Sequence, residues 1–253
     1  MIRDFVLFLF RRVGNWRKEP LIPALLLVVA CGLWGFIEIA EEVQGRETHD
    51  YDRMILLAMR EKGDPADPLG PPWMEEMGRD VTALGGFTVL TGLTAAAIGF
   101  MVLVGRPRLA LLTLVAVVGG MLVSGVLKEF FSRPRPDVVP HGMLVTSASF
   151  PSGHTTMAAV VYLTLGVLVA RAFTKLKLRL YIIALSLIVA LCVGISRVYL
   201  GVHWPTDVLA GWTLGGMWAL VFGLIALRVT RSPAQAPNGE GGEVGAGEGE
   251  GEG

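Results

Sequence analysis

Long apolar runs separated by short polar connections dominate this 253-residue chain. A bilayer-crossing helix needs roughly 20 predominantly apolar residues, and the runs at 21–40, 82–104, 109–127, 155–173, 180–195 and 206–227 read as six spans. Between the first two, residues 43–80 turn polar and acidic, and Pro65, Pro68, Pro71 and Pro72 forbid one continuous helix. That stretch is expected as an extracytoplasmic loop on the headgroups with a short amphipathic helix at 51–60; a lid or entrance wall for substrate is the other reading. Residues 1–20 combine the apolar FVLFLF with Arg11, Arg12, Arg17 and Lys18, too short to span and expected as a cytoplasmic interfacial basic segment. The Gly/Glu-rich tail, 231–253, has almost nothing to bury and is expected to be disordered. The fold class is therefore all-α: a polytopic membrane protein whose six-span domain occupies residues 21–230.

Composition agrees, because 53% hydrophobic and 17% charged residues are too apolar for an ordinary soluble domain. The formal net charge is zero, which points to no nucleic acid partner and leaves the placement of charge as the informative quantity. Cytoplasmic loops are enriched in Lys and Arg. With six spans, the amino terminus, Arg106 and Arg108, the 175–179 link and Arg228 and Arg231 share one face, expected to be cytoplasmic. The acidic loop, the 128–154 connection and the fifth-to-sixth connection then share the extracytoplasmic face of a cell-membrane protein. Cys31 and Cys192 lie inside apolar runs, so neither a disulfide framework nor a cysteine metal site is expected.

Three motifs fall on that face. Lys128 is followed after six residues by Arg135-Pro136; a plain helix-end lysine snorkelling to the headgroups would look similar. Pro151-Ser152-Gly153-His154 opens the fourth span, where Ser152 could simply cap the helix, yet a glycine at a helix amino terminus is also a ready anion site. Ser196-Arg197, five residues, His203, three residues and Asp207 straddle the last connection, where Asp207 alone could be a helix-dipole residue. Each bland reading is sound singly. Their coincidence on one face supplies cations, a small-residue turn and two imidazoles, the groups that bind and cleave a phosphate ester.

KEFFSRPRP, PSGH and SRVYLGVHWPTD, in this order and spacing, resemble the three-part signature of the type 2 phosphatidic acid phosphatase family, the membrane branch of a superfamily with acid phosphatases and vanadium haloperoxidases. The resemblance covers roughly residues 82–227. It implies a metal-independent lipid phosphatase with no cofactor, acting through a phosphohistidine on His203. Asp207 would orient that imidazole, and His154 would serve as general acid and then as base. Lys128, Arg135 and Arg197 would clamp the phosphoryl oxygens, with Ser152 and the Gly153 backbone donating to them, while Arg133 would act behind them or on a headgroup. The expected partners are membrane lipids and a lipid phosphate substrate: undecaprenyl pyrophosphate, phosphatidic acid or phosphatidylglycerol phosphate. A lipid phosphotransferase, a vanadate-holding haloperoxidase and a transporter or scaffold with a vestigial anion site are the competing classes.

Overall fold

A computed structural model describes residues 21–137 and 147–229. The basic segment at 1–20, the Gly/Glu tail and His141 lie outside the described residues. The described chain is nearly all helix: α1 Leu21–Gly45, α2 His49–Ala58, α3 Pro72–Ala83, α4 Phe87–Leu103, α5 Pro107–Phe131, α6 Gly153–Ala170, α7 Leu176–Tyr199 and α8 Pro205–Val229. A two-stranded antiparallel ribbon, β1 Arg60–Glu61 and β2 Asp64–Pro68, follows α2. α6 widens into a π turn at Ala159–Leu163.

Five helices are long and apolar enough to cross a membrane, and six spans result if α3 and α4 count as one bent element. The second span departs from the expected straight run at 82–104. α4 has only 17 residues, and it reaches membrane length together with α3, from which it is bent by 44°. The break falls at Gly85 and Gly86. A Cβ on Gly85 would lie 2.5 Å from Val193 Cγ1 and 3.2 Å from the His154 carbonyl oxygen, so only a glycine lets the bend press against α6 and α7.

The acidic loop is also more ordered than a solvated connection. The amphipathic helix expected at 51–60 appears as α2, whose Leu56 is fully buried against Val198, Trp204 and Val208. Arg60 donates to the Tyr199 carbonyl at 2.8 Å and ties the ribbon to the end of α7. Between α3 and α7 lies an apolar groove of about 340 Å³ whose walls include Met74, Met77, Val81, Cys192 and Ile195.

Tight helix contacts set the bundle. α8 lies against α6 through Gly211 and Gly215, where an added Cβ would meet Ser152 O at 3.1 Å and Ala159 Cβ at 2.6 Å; small residues let membrane helices approach this closely. Phe150, wholly buried, plugs the space between α1, α5 and α8, 5.9 Å from the ring of Phe36 and 4.8 Å from that of Phe131. The chain entering α6 is thereby pinned.

Helix directions put the three motifs at one end of the bundle. α5 and α7 finish there, and α6 and α8 begin there. Arg106, Arg108, Lys175, Lys177, Arg179 and Arg228 are exposed at the opposite helix ends.

Candidate active site

The helices run past the expected span ends, and this carries the motif residues inside them. α5 continues to Phe131, placing Lys128 in its last turn before Ser132 ends it in the left-handed conformation, φ 45°. α7 continues to Tyr199, so Arg197 sits in its last turn, and α6 begins at Gly153, so His154 sits in its first.

The third motif turns on a glycine. After α7, Gly201 adopts φ +72°, its N–H donates to Val198 O at 2.9 Å, and Val202 N–H reaches back to Arg197 O at 3.2 Å. This paired closure is the Schellman arrangement, which wants a residue without Cβ at that point. It delivers His203 to the interior, 1% exposed. Pro205 then starts α8, and Asp207 Oδ2 accepts from the Trp204 N–H at 2.9 Å, a helix-capping bond. The same oxygen lies 3.4 Å from His203 Nδ1, so capping and orientation of the imidazole coexist in one carboxylate.

Burial pushes the His203 imidazole down to about 3, against the opposing pull of Asp207 and with help from Arg135 and Arg197. It is neutral at physiological pH. With a proton on Nδ1 toward Asp207, the lone pair is on Nε2, which faces Arg135 Nη1 at 3.1 Å.

Ser149, absent from the motif reading, completes this group. Its hydroxyl donates to Asp207 Oδ2 and lies 3.3 Å from His203 Nδ1, and its N–H is fixed by the Arg133 carbonyl at 2.8 Å. Arg133 itself spans two carboxylates, donating to Asp207 Oδ1 at 2.6 Å and Asp52 Oδ2 at 2.7 Å. Neither oxygen pair is on offer to a cation. Among the described residues no three His, Cys, Asp or Glu side chains gather as a metal-ligand group.

The cations converge from three elements. Arg135 donates from Nη1 to Val202 O at 2.7 Å and from Nε to Ser147 O at 2.9 Å; burial lowers its ordinary pKa, partly offset by Asp207. Lys128 Nζ donates to Ala148 O at 2.6 Å, and its Cε would be 3.2 Å from a Cβ on Gly153, so the lysine chain crosses the amino terminus of α6. Arg197, 1% exposed, donates from Nη1 to Thr82 Oγ1 at 2.9 Å, while its buried Nε has no hydrogen-bond partner among the described residues. His154, partly exposed, lies within electrostatic reach of all three cations. Ser152 occupies the position before α6, but its side chain makes no capping bond; its hydroxyl instead accepts from Thr155 Oγ1 at 2.8 Å, and its N–H donates to Asp207 O at 3.0 Å.

Comparison with known proteins decides the family. Residues 108–231, which contain all three motifs, match the PAP2 superfamily. Phosphatidylglycerophosphatase B of Bacillus subtilis (strain 168) is 40% identical over 149 residues, spanning 57% of this chain and 71% of that protein. This chain belongs to the PAP2 superfamily. An undecaprenyl-diphosphatase of Sulfolobus acidocaldarius is 38% identical over 104 residues, 40% of this chain and 45% of its own length, so that likeness spans less than half of it. The crystal structure described as the first transmembrane PAP2 type phosphatidylglycerolphosphate phosphatase, from Bacillus subtilis, superposes with a TM-score of 0.73 at 29% identity, covering 80% of this chain and 98% of that one. The PAP2 chain described here is thus a polytopic membrane protein of the lipid-phosphatase type, as the motif resemblance implies.

Proposed function

We propose that this PAP2 chain hydrolyses a membrane lipid phosphate or diphosphate through a phosphohistidine on His203. The supporting observation is the two-sided environment of that imidazole: Nδ1 against Asp207 and Ser149, Nε2 against Arg135. Nε2 attacks phosphorus as the P–O bond to the leaving group breaks. Arg135 already reaches Nε2, so it can follow the phosphoryl oxygens as they pass through the five-coordinate arrangement, and the Nε–H of Arg197, without a partner among the described residues, and the ammonium of Lys128 supply further donors. His154 gives its proton to the leaving oxygen. Water then attacks the phosphohistidine with His154 taking a proton from it, which returns both imidazoles to their starting states and releases phosphate.

Ser152 and the Gly153 N–H remain donors to the phosphate in this reading, at the start of α6 where backbone donors face an anion. The site end of the bundle is assigned to the extracytoplasmic face, because Arg106, Arg108, Lys175, Lys177, Arg179 and Arg228 flank the helix ends on the other side, while the site-end loop at 43–80 carries more Asp and Glu than Arg and Lys. A substrate whose phosphate stays at headgroup depth fits that placement. Phosphatidylglycerol phosphate, phosphatidic acid and undecaprenyl pyrophosphate are the panel to assay, and the α3–α7 groove is assigned to the lipid tail. None of the proposed catalytic side chains lines that groove; its main walls are the two helices whose Thr82 and Arg197 hold each other, with Met59 and Leu69 completing it.

Rapid quench of the purified protein into alkaline detergent, with labelled substrate, tests the intermediate. An acid-labile, alkali-stable phosphoprotein is expected in the parent and absent from His203→Ala, and a parent that never acquires label under single turnover overturns the reading.

A further inference from the structure

Asp52 belongs to the acidic loop between the first two spans, outside the three motifs, yet it is 1% exposed. A carboxylate in a solvated loop has no reason to leave water, because burying a charge is costly unless it is paired and hydrogen-bonded. Here it is both. Oδ1 accepts from Thr206 N–H at 2.9 Å, and Oδ2 accepts from Thr206 Oγ1 at 2.6 Å and from Arg133 Nη2 at 2.7 Å. The other Arg133 nitrogen, Nη1, donates to Asp207 Oδ1 at 2.6 Å, and its guanidinium carbon lies 5.6 Å from the Trp204 ring centroid.

We infer that Asp52 is a positioning residue for phosphoryl transfer, acting through Arg133 on Asp207; this rests on the reading of His203 as nucleophile. A guanidinium is a rigid planar fork, so one arginine shared by two carboxylates fixes them relative to each other. With Oδ1 held by Arg133, the Asp207 carboxylate cannot rotate Oδ2 away from His203. Charge matters as well as geometry. Because Asp52 draws on the same guanidinium, Arg133 does not spend its whole charge on Asp207, which stays anionic enough to stabilise the imidazolium that forms as His203 attacks. Removing the Asp52 charge frees the guanidinium to neutralise Asp207 more completely. The substrate-binding cations Lys128, Arg135 and Arg197 are not part of this chain of contacts, so the effect belongs to turnover and not to binding.

The test uses the full-length protein in detergent with a short-chain phosphatidate, measuring kcat, KM and thermal midpoint for Asp52→Asn, Arg133→Gln and the double variant. Asp52→Asn is expected to lower kcat about tenfold to a hundredfold, the cost of a slightly misplaced catalytic group, with KM changed less than about twofold. In the Arg133→Gln background the same substitution should cost less than about threefold, since residues acting through one partner are not additive. A well-folded Asp52→Asn with parental kcat, a loss carried by KM, or losses that multiply in the double variant each overturn the inference. Should Asp52→Asn fail to melt cooperatively, Arg133→Lys decides: it retains the charge but cannot bridge, so kcat should fall with KM unchanged, and parental turnover sinks the bridge. Failure of the nucleophile reading shows separately, as a parent without acid-labile label.

Discussion

His203 Nδ1 and Asp207 Oδ2 stand 3.4 Å apart across the start of α8, and Ser149 touches both. The serine hydroxyl accompanies this approach of carboxylate to neutral imidazole, so Asp207 orients the ring directly and through a hydroxyl together. Ser149→Ala should leave the fold intact and reduce kcat by about tenfold, on the scale of one hydrogen bond to a charged group at roughly 1.5–3 kcal/mol. Steady-state kinetics on a lipid phosphate check it; unchanged kcat would show the hydroxyl to be packing alone.

The depressed His203 imidazole fixes two signs. Its folded value near 3 lies below the unfolded value of about 6.5. Between those values the unfolded chain binds a proton that the folded one refuses, so stability falls as pH drops from about 6.5 toward 3 and is unaffected above 6.5. Thermal midpoints measured from pH 7.5 to 4 should decline less steeply in His203→Gln than in the parent. The acid limb of kcat/KM above pH 4 should likewise belong to another group.

His154 should reveal itself through the leaving group. His154→Ala is expected to lose about a hundredfold to ten-thousandfold on an alkyl phosphate, the range of general acid catalysis, and much less on a nitrophenyl ester that departs without a proton. Equal losses on both substrates would remove its role as acid.

Arg197→Lys keeps a charge but discards the fork whose Nε has no hydrogen-bond partner among the described residues. A loss of kcat/KM of about tenfold to a hundredfold is expected, equivalent to one charge-assisted hydrogen bond. Vanadate inhibition should weaken in parallel, because the same donors meet a five-coordinate mimic. Hydrolysis by the parent should persist in excess chelator; loss reversed by magnesium would contradict the proposed chemistry.

Gly215→Val addresses the seam between α6 and α8. Even a single Cβ there would meet Ala159 Cβ and Thr156 O at 2.6 Å. Overpacking of this kind costs about 1–3 kcal/mol, read as a lower melting point in detergent. Turnover should fall with it, since His154 rides on α6 and Asp207 on α8.

The six apolar runs and the three motifs were legible in the sequence because each has a simple periodic or spacing signal. Lys128 and Arg135, or His203 and Asp207, are close in sequence and mark helix ends. Asp52 and Ser149 had no such signal. Asp52 reaches the site only because Leu56, one turn further along α2, buries itself against Trp204 and Val208, a tertiary contact that amphipathicity suggests but does not aim. Ser149 depends on the wholly buried Phe150 beside it to hold the loop end in place. The sequence marks Arg133 as a supporting contact, and its two carboxylate partners, Asp52 and Asp207, specify what it supports. The break in the second span carries no signal in the sequence, because Gly85 and Gly86 are tolerated in an apolar run and the close approach of Gly85 to α6 and α7 is a tertiary contact.

That break has a consequence for the surrounding lipid. α4 has 17 residues, about 26 Å of rise, against a hydrocarbon core of roughly 30 Å, and Phe87 and Leu103 at its two ends are strongly exposed. The shortfall is made up by α3 beyond the bend, so the depth of bilayer matched on this flank depends on the angle at Gly85 and Gly86 as well as on helix length. Membrane thickness is therefore a physical variable for this protein, because a bent span can meet a thicker or thinner bilayer by changing its angle.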